Sequence, residues 1–308
     1  MGLSPFTNAI LWRRLCIPSM LFSCETWGDI SKREYEMFEK AQRTVAKHIQ
    51  GLKRRTHNEI VVGLLGWHSM QGLIDKCKCM FVCKLVNMKR GITKHVFINE
   101  LYNYVFTGCT KNTITGDLIR VLIKYNLLNY LVTYAKGGTF PDKIIWKHIV
   151  IDEISKVEER LWKYGLCSKG VSRYQRVQPL LQVNKMYNLI RSNLNQRENI
   201  MYIVRILSII EEGEPLLCPG CGKIFTDAAD HVINRCSSLI KQRNDMWNNI
   251  LDNIDVTSES LFISKDEEET LDILLGKDAP DIFSEDYRLS LTKEVGYYIS
   301  EAINILIL

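Results

Sequence analysis

Ser31-Lys32-Arg33-Glu34-Tyr35-Glu36-Met37-Phe38-Glu39-Lys40-Ala41-Gln42-Arg43-Thr44-Val45-Ala46-Lys47-His48-Ile49-Gln50-Gly51 decides the fold class. It opens on a capping box, in which the Ser31 and Glu34 side chains satisfy backbone donors that the first helical turn leaves unbonded. Tyr35, Phe38, Ala41, Val45 and Ile49 recur at steps of three or four, which predicts one buried stripe. Lys40, Arg43 and Lys47 share another face. Gly51 is placed to end the helix, because the closing residue takes a left-handed backbone that glycine accepts without steric cost.

Similar signals recur on both sides. Ser4-Pro5-Phe6-Thr7 reads as a helix start, followed by an apolar run that Pro18 interrupts. Downstream, Thr56-His57-Asn58-Glu59 is a second capping box, opening a short helix that ends near Gly66. A third helix begins after Ser69, with Leu73, Ile74, Cys77, Phe81, Leu85 and Met88 on one side. Three helices with short connections make a small bundle. Thr107 to Gly116 reads as a linker, and Leu118 to Val132 is apolar nearly all round, which predicts a buried helix. Pro141 suits the first turn of a helix reaching Tyr164. Further helices are expected from Asn195 to Ile210, after Ser237 or Ser238, and from Glu285 to Ile305. Residues 165–193 are basic and uneven, and give no clear element. With little β signal and no internal repeat, the expected fold is mainly α. Its divisions are a helical bundle over 1–106, a helical linker region over 107–212, a metal knuckle with its following helix over 213–256, and an acidic helical tail over 257–308.

At 46% hydrophobic and 24% charged residues, the composition excludes wholesale disorder. No apolar run approaches the ~18 residues of a membrane span, and the start of the chain lacks a signal-peptide layout. Ten cysteines without such a signal point to a reducing compartment, so the expected location is intracellular, nuclear or cytoplasmic. Cys77, Cys79 and Cys83 sit on one predicted helix and read as buried, inert thiols. The net charge of +5 conceals an asymmetry. Residues 1–210 hold 32 Lys and Arg against 15 Asp and Glu, whereas residues 211–308 hold 8 against 20. The first two thirds suit a polyanionic partner; the last third repels one.

Within that acidic third lies Cys218-Pro219-Gly220-Cys221, nine residues, His231, four residues and Cys236. This Cys-x2-Cys-x9-His-x4-Cys spacing offers four N/S ligands, the closed tetrahedral set that zinc prefers in structural sites. Gly220 and Gly222 supply the sharp turn that lets two cysteines bite one ion. Cys218, Cys221 and Cys236 would bind as thiolates and His231 as a neutral imidazole, so the ion folds a loop too small to fold alone. Inside the loop, Phe225 either stacks on an unpaired base or forms the loop's own small core, the second being favoured because the loop has few other apolar groups. Lys223 and Arg235 either contact phosphates or form a solvated face. Lys40, Arg43, Lys47, Lys53, Arg54 and Arg55 are the candidate backbone contact for nucleic acid, weighed against an ordinary charged surface. Glu36 with Lys40 and Glu39 with Arg43 are i,i+4 pairs that partly neutralise this set.

Several stretches resemble one family. Leu21-Phe22-Ser23-Cys24-Glu25-Thr26-Trp27, then Ile49-Gln50-Gly51-Leu52-Lys53-Arg54-Arg55-Thr56, then Leu64-Leu65-Gly66-Trp67, is similar to the segment after the catalytic palm in reverse transcriptases of non-LTR (LINE-type) retrotransposons. That segment is the polymerase thumb and its connection. The Cys-Cys-His-Cys cluster followed by Arg243 and Trp247 resembles the C-terminal zinc knuckle of the same proteins, and Leu274-Leu275-Gly276 also fits them. The resemblance runs through most of the chain in order, loosely over 107–210. Leu21-Phe22-Ser23 replaces the Leu-Tyr-Gly core of the first motif.

The resemblance implies a thumb-like bundle that presses on an RNA–DNA duplex and a knuckle that holds RNA or single-stranded DNA. It also implies the rest of such a reverse transcriptase as a partner. The family's paired Asp-Asp, which holds its metal ions, does not occur in this sequence. Pro280-Asp281 is only a faint match to a nuclease motif. The expectation is therefore a non-catalytic, zinc-binding, nucleic-acid-binding region. The alternatives are a zinc-stapled protein-interaction module, with the acidic tail and last helix as docking surface, or a relic of a decayed element.

Overall fold

The computed structural model describes residues 5–28, 30–110, 112–167, 172–192, 194–208, 215–279 and 283–306. Ser4 of the first start signal and the Pro280-Asp281 pair lie outside them. The fold is mainly α: helices hold most of the described residues, and their one sheet is two short strands, Leu216–Leu217 and Ile224–Phe225. The chain divides into two compact units. One comprises Met1–Trp12, Arg43–Trp67 and Trp162–Leu308; the other comprises Arg13–Gln42 and His68–Leu161.

The deciding stretch forms a helix over Lys32–Ile49. Its capping box closes reciprocally: Ser31 N donates to Glu34 Oε2 at 2.7 Å, and Glu34 N to Ser31 Oγ at 3.3 Å. Gly51 ends it at φ 58°, with Leu52 N donating to Lys47 O at 2.9 Å. The buried line is displaced by one position from the predicted stripe. Gln42, Ala46, Ile49 and Gln50 are buried, whereas Tyr35, Phe38, Ala41 and Val45 are half-buried. Both glutamines pass as surface residues in sequence because their partners are distant backbone. Gln50 Nε2 donates to Val61 O at 2.8 Å, and Gln42 Nε2 to His68 O at 2.9 Å.

The unit containing His68–Leu161 is built on helices Met70–Asn87, Ile92–Thr107, Ile114–Lys124, Leu128–Ala135 and the first part of Lys143–Cys167. Val82, Phe97, Leu101, Leu122, Leu131 and Trp146 fill its core. Ser69 caps Met70–Asn87 as predicted, accepting from Gly72 N at 2.9 Å. Two carboxylates reinforce that positive helix end: Glu158 accepts from Ser69 N and Glu39 from Met70 N, each at 2.6 Å. The predicted apolar side of this helix is only partly right. Leu73, Cys77, Phe81 and Met88 are half-buried, while the charged Asp75 and Lys78 are buried. Asp75 accepts from Lys124 Nζ at 2.7 Å and Tyr125 Oη at 2.9 Å, and Lys78 pairs with Asp117. Burial of those charges depends on partners 39 to 50 residues away. The single helix expected over 118–132 is two, because Asn126 takes a left-handed backbone at φ 56°.

The other unit gathers Asn58–Leu64, Ser172–Val177, Lys185–Ser192, Arg197–Leu207, the Cys218–Cys236 loop and the helices that follow it. The second capping box does not form: His57 precedes Asn58–Leu64 and gives no side-chain cap. Gly66 ends this helix at φ 60°, lodged against the backbone of Gln182 and Val183. The last helix, Glu285–Leu306, packs on Arg197–Leu207 and buries Leu291, Val295, Tyr298, Ile299 and Ala302. Gly296 makes that approach possible, since a Cβ there would lie 2.5 Å from Asn199 Cα. The apolar face of the tail therefore belongs to this unit's own core.

Candidate functional site

The loop is assembled from two local structures. Antiparallel pairing of Leu216 with Phe225 and Leu217 with Ile224 brings Cys218 and Cys221 onto the intervening turn. Cys218 N donates to Lys223 O and Gly222 N to Cys218 O, both at 2.9 Å, with Gly222 at φ 70°. Cys221 N points at Cys218 Sγ, 3.5 Å away. On the other side, Asp227 caps the turn Ala228–Asp230, accepting from Asp230 N at 3.0 Å. The chain continues through the wider turn His231–Arg235, closed by Cys236 N donating to His231 O at 2.7 Å. One donor atom each from Cys218, Cys221, His231 and Cys236 then lies within 4.8 Å of the others. Cys218 Sγ and Cys236 Sγ are 3.8 Å apart, and Cys221 Sγ is 3.5 Å from His231 Nε2. These four residues could hold a metal ion. Among the described residues, Cys77, Cys79 and Cys83 form no such group.

The surroundings fix the ligands. Burial lowers the His231 pKa, opposed by Asp230 and helped by Arg243 and Lys223, so the imidazole is neutral and its lone pair free for a metal. Burial pushes the Cys236 thiol up to about 11, so a metal must displace a proton there. Arg243 braces the second ligand pair, donating from Nε to Ile233 O and from Nη2 to Cys236 O, both at 2.7 Å. Arg173 ties Asp227 (2.8 Å) to the buried Asp272 (3.2 Å) on the helix Glu267–Leu274. The Arg243 pattern alone does not disclose this bracing role, because both of its acceptors are main-chain oxygens.

Phe225 lies 4.4 Å from the His231 ring, centroid to centroid, with the planes 8° apart. It is half-buried and packs against the core of its unit. Lys223 is exposed on the turn. Arg235 is paired with Asp230 at 3.2 Å and Glu267 at 3.0 Å, so a phosphate there would compete with two carboxylates.

The remaining basic candidates gather around the end of Lys32–Ile49. Lys47 Nζ donates to Arg54 O at 2.8 Å and folds the following loop back onto the helix. Burial lowers the Lys47 pKa; Arg43 and Arg54 lower it further, against Glu59. Arg43, Lys47 and Arg54 thus share one neighbourhood. Arg205, which the sequence did not single out, joins them: its Nη2 is 3.5 Å from the position a Gly51 Cβ would take, and its guanidinium lies over the Tyr202 ring. Lys53, Arg54 and Arg55 are exposed, and among the described residues no ion pair engages them. Lys40 is exposed one turn earlier on the helix.

No described helix is long and apolar enough to cross a membrane. No family model, curated protein or solved structure matches the chain.

Proposed function

We propose that this chain is a zinc-stapled, non-catalytic nucleic-acid-binding region, of the kind that the thumb and knuckle of non-LTR reverse transcriptases provide. The observation that carries the reading is the spacing of the four donors. A tetrahedron with Zn–S bonds of about 2.3 Å and a Zn–N bond of about 2.0 Å has S–S edges of about 3.8 Å and S–N edges of about 3.5 Å. Cys218–Cys236 and Cys221–His231 sit at 3.8 Å and 3.5 Å. Three thiolates and one imidazole leave no open coordination position, so zinc here staples the fold and activates no water.

Binding falls to the cations. Arg54 lies beside Arg43 and Lys47, with the exposed Lys53 and Arg55 on either side of it in the loop, and phosphate contacts need charge rather than a shaped pocket. The partner is RNA or single-stranded DNA. The test is to measure zinc by metal analysis and titrate the full chain with fluorescent single-stranded RNA at two salt concentrations, before and after chelation. One equivalent of zinc with salt-sensitive binding supports the reading. A folded protein that carries no zinc ends it.

A protein-docking reading is favoured by one feature, the exposed cross-strand pair Leu217 and Ile224 on the hairpin. Capture of a protein partner that survives nuclease treatment, by a chain that does not bind RNA, would select it.

A further inference from the structure

The helix Leu128–Ala135 and the start of the helix Lys143–Cys167 border a cavity of about 490 Å³. Asn129, Tyr130 and Thr133 line it from the first helix, where steps of three and four put them on one face. Thr139, Phe140 and Pro141 line it from the connecting loop, and Ile145 from the second helix. The walls are held in place. Gly138 N donates to Thr133 O at 2.9 Å, and a Cβ on Gly138 would lie 2.7 Å from Thr133 Cγ2, so the loop presses directly on the helix. Asp142 caps the second helix, accepting from Ile144 N and Ile145 N at 2.8 and 2.9 Å. Behind Tyr130 and Phe140 stands the buried Trp146, whose Nε1 donates to Cys79 O at 2.9 Å. Tyr130 meets its ring edge-on at 5.6 Å, and Phe140 meets it tilted at 4.7 Å. All these residues belong to one compact unit.

We propose that this cavity binds a nucleobase, presented either by a single-stranded nucleic acid or by a free nucleoside. Small-molecule pockets span about 300–1,000 Å³ and combine apolar and aromatic walls with a few polar groups. The cavity fits both terms. No charged side chain lines it, so the group it holds is neutral. Tyr130 and Phe140 offer ring surface at fixed angles, and every base has a π-face to set against it. Asn129, Thr133 and Thr139 are exposed, and their side chains make no hydrogen bond to the described residues. An Asn side chain carries one acceptor and two donors, which pair an adenine edge through two bonds. A purine uses the aromatic wall and the polar groups together; an aliphatic ligand leaves the polar groups idle. Charge favours a nucleic-acid source, since residues 68–161 hold 14 Lys and Arg against 8 Asp and Glu. Lys136 and Lys143, both exposed, flank the lining loop in the chain. The site contains none of Lys53, Arg54 and Arg55 and takes a base instead of a phosphate, so it goes beyond the contacts proposed for that set.

The experiment titrates the full chain with adenosine and with a fluorescent oligoadenylate, against an abasic oligonucleotide of equal length. The variants are Tyr130→Leu, which keeps apolar bulk but removes the stacking ring, and Asn129→Ala. Saturable binding is expected, weakened at least about fivefold by Tyr130→Leu and weakened also by Asn129→Ala. Binding of the abasic strand should not change, because it offers phosphates alone. A Tyr130→Leu protein that binds both ligands as wild type does overturns the proposal. So does a wild type that ignores adenosine and holds the abasic strand as tightly as the oligoadenylate. Should Tyr130→Leu fail to fold, Asn129→Ala, at an exposed position, must itself weaken binding for the proposal to stand. If only adenosine binding responds to the variants, the pocket serves a free nucleoside; if only oligoadenylate binding responds, it serves a strand. A proline-rich peptide that binds wild type but not Tyr130→Leu, with no response to either base ligand, overturns the proposal in favour of a protein partner. Adenosine carries no phosphate, so its result stands whether or not Lys53, Arg54 and Arg55 touch RNA.

Discussion

Cys218→Ser combined with His231→Ala removes one ligand from each half of the loop. The expected outcome is loss of stoichiometric zinc by metal analysis, together with loss of the loop's protected amides, because a ligand set of two does not repay the cost of ordering the chain. Retained stoichiometric zinc would overturn the assignment. Phe225 is read differently by its contacts. Stacked on His231, it supports a ligand from the side, so Phe225→Ala is expected to weaken zinc retention before it affects RNA binding. Replacing Lys53, Arg54 and Arg55 together by Ala removes three exposed cations that have no ion-pair partner among the described residues. The RNA salt slope is expected to fall by about 2 if all three touch phosphates. An unchanged slope takes them out of the interface.

Elements in this protein begin and end on signals of unequal strength. The Ser31–Glu34 box and the Ser69 cap form as the local sequence dictates, since each partner is three residues away. Gly66 and Gly108 both close helices with a left-handed backbone, at φ 60° and 70°. Their surroundings differ: a Cβ at Gly66 would stand 2.4 Å from Val183 N, whereas nothing lies within 4 Å of one at Gly108. Gly108→Ala should cost about 1 kcal/mol, the left-handed penalty alone. Gly66→Ala should cost about 3 kcal/mol or more, since the backbone it strikes cannot rotate away. Denaturant unfolding of the two variants measures the difference, and equal losses would show that the Gly66 approach to Val183 is slack.

At the scale of the whole molecule, the loop's buried residues belong to one core. Cys218, Val232, Ile233 and Cys236 join Ile203, Ile250 and Tyr298 in the unit that holds Trp162–Leu308. Chelating the metal is expected to raise hydrogen exchange there, while Phe97, Leu122 and Trp146 of the other unit keep their protection. Equal loss in both would show that they unfold together. The unit containing His68 has its own pH response. Burial lowers the His68 pKa from its usual 6.5; Glu158 opposes this, and Arg13 and Lys76 add to it. A group with a depressed folded pKa contributes stability that is present above its unfolded pKa and is lost as pH falls through the folded one. This unit should therefore lose stability below pH about 6.5. His68→Gln should flatten that limb of the pH profile; an unaltered limb would assign the loss to other groups.

Spacing by itself determined the helix over 32–49, the caps at Ser31 and Ser69, the mainly α fold and the grouping of four residues that could hold a metal ion. Each depends on residues close in sequence, or on donor types whose chemistry admits few readings. Tertiary structure decided what distant partners control. Gln42 and Gln50 turn inward because His68 and Val61 offer carbonyls. Asp75 and Lys78 are buried because Tyr125 and Asp117 receive them. Under the protein-interaction alternative the C-terminal helix is a docking surface, yet its apolar face meets Arg197–Leu207 across the unit's core. Arg235 reads in sequence as either a phosphate contact or a solvated face, and only the folded chain brings Glu267 beside it. A side chain's type fixes which bonds it needs, and only the folded chain fixes which of them are already made.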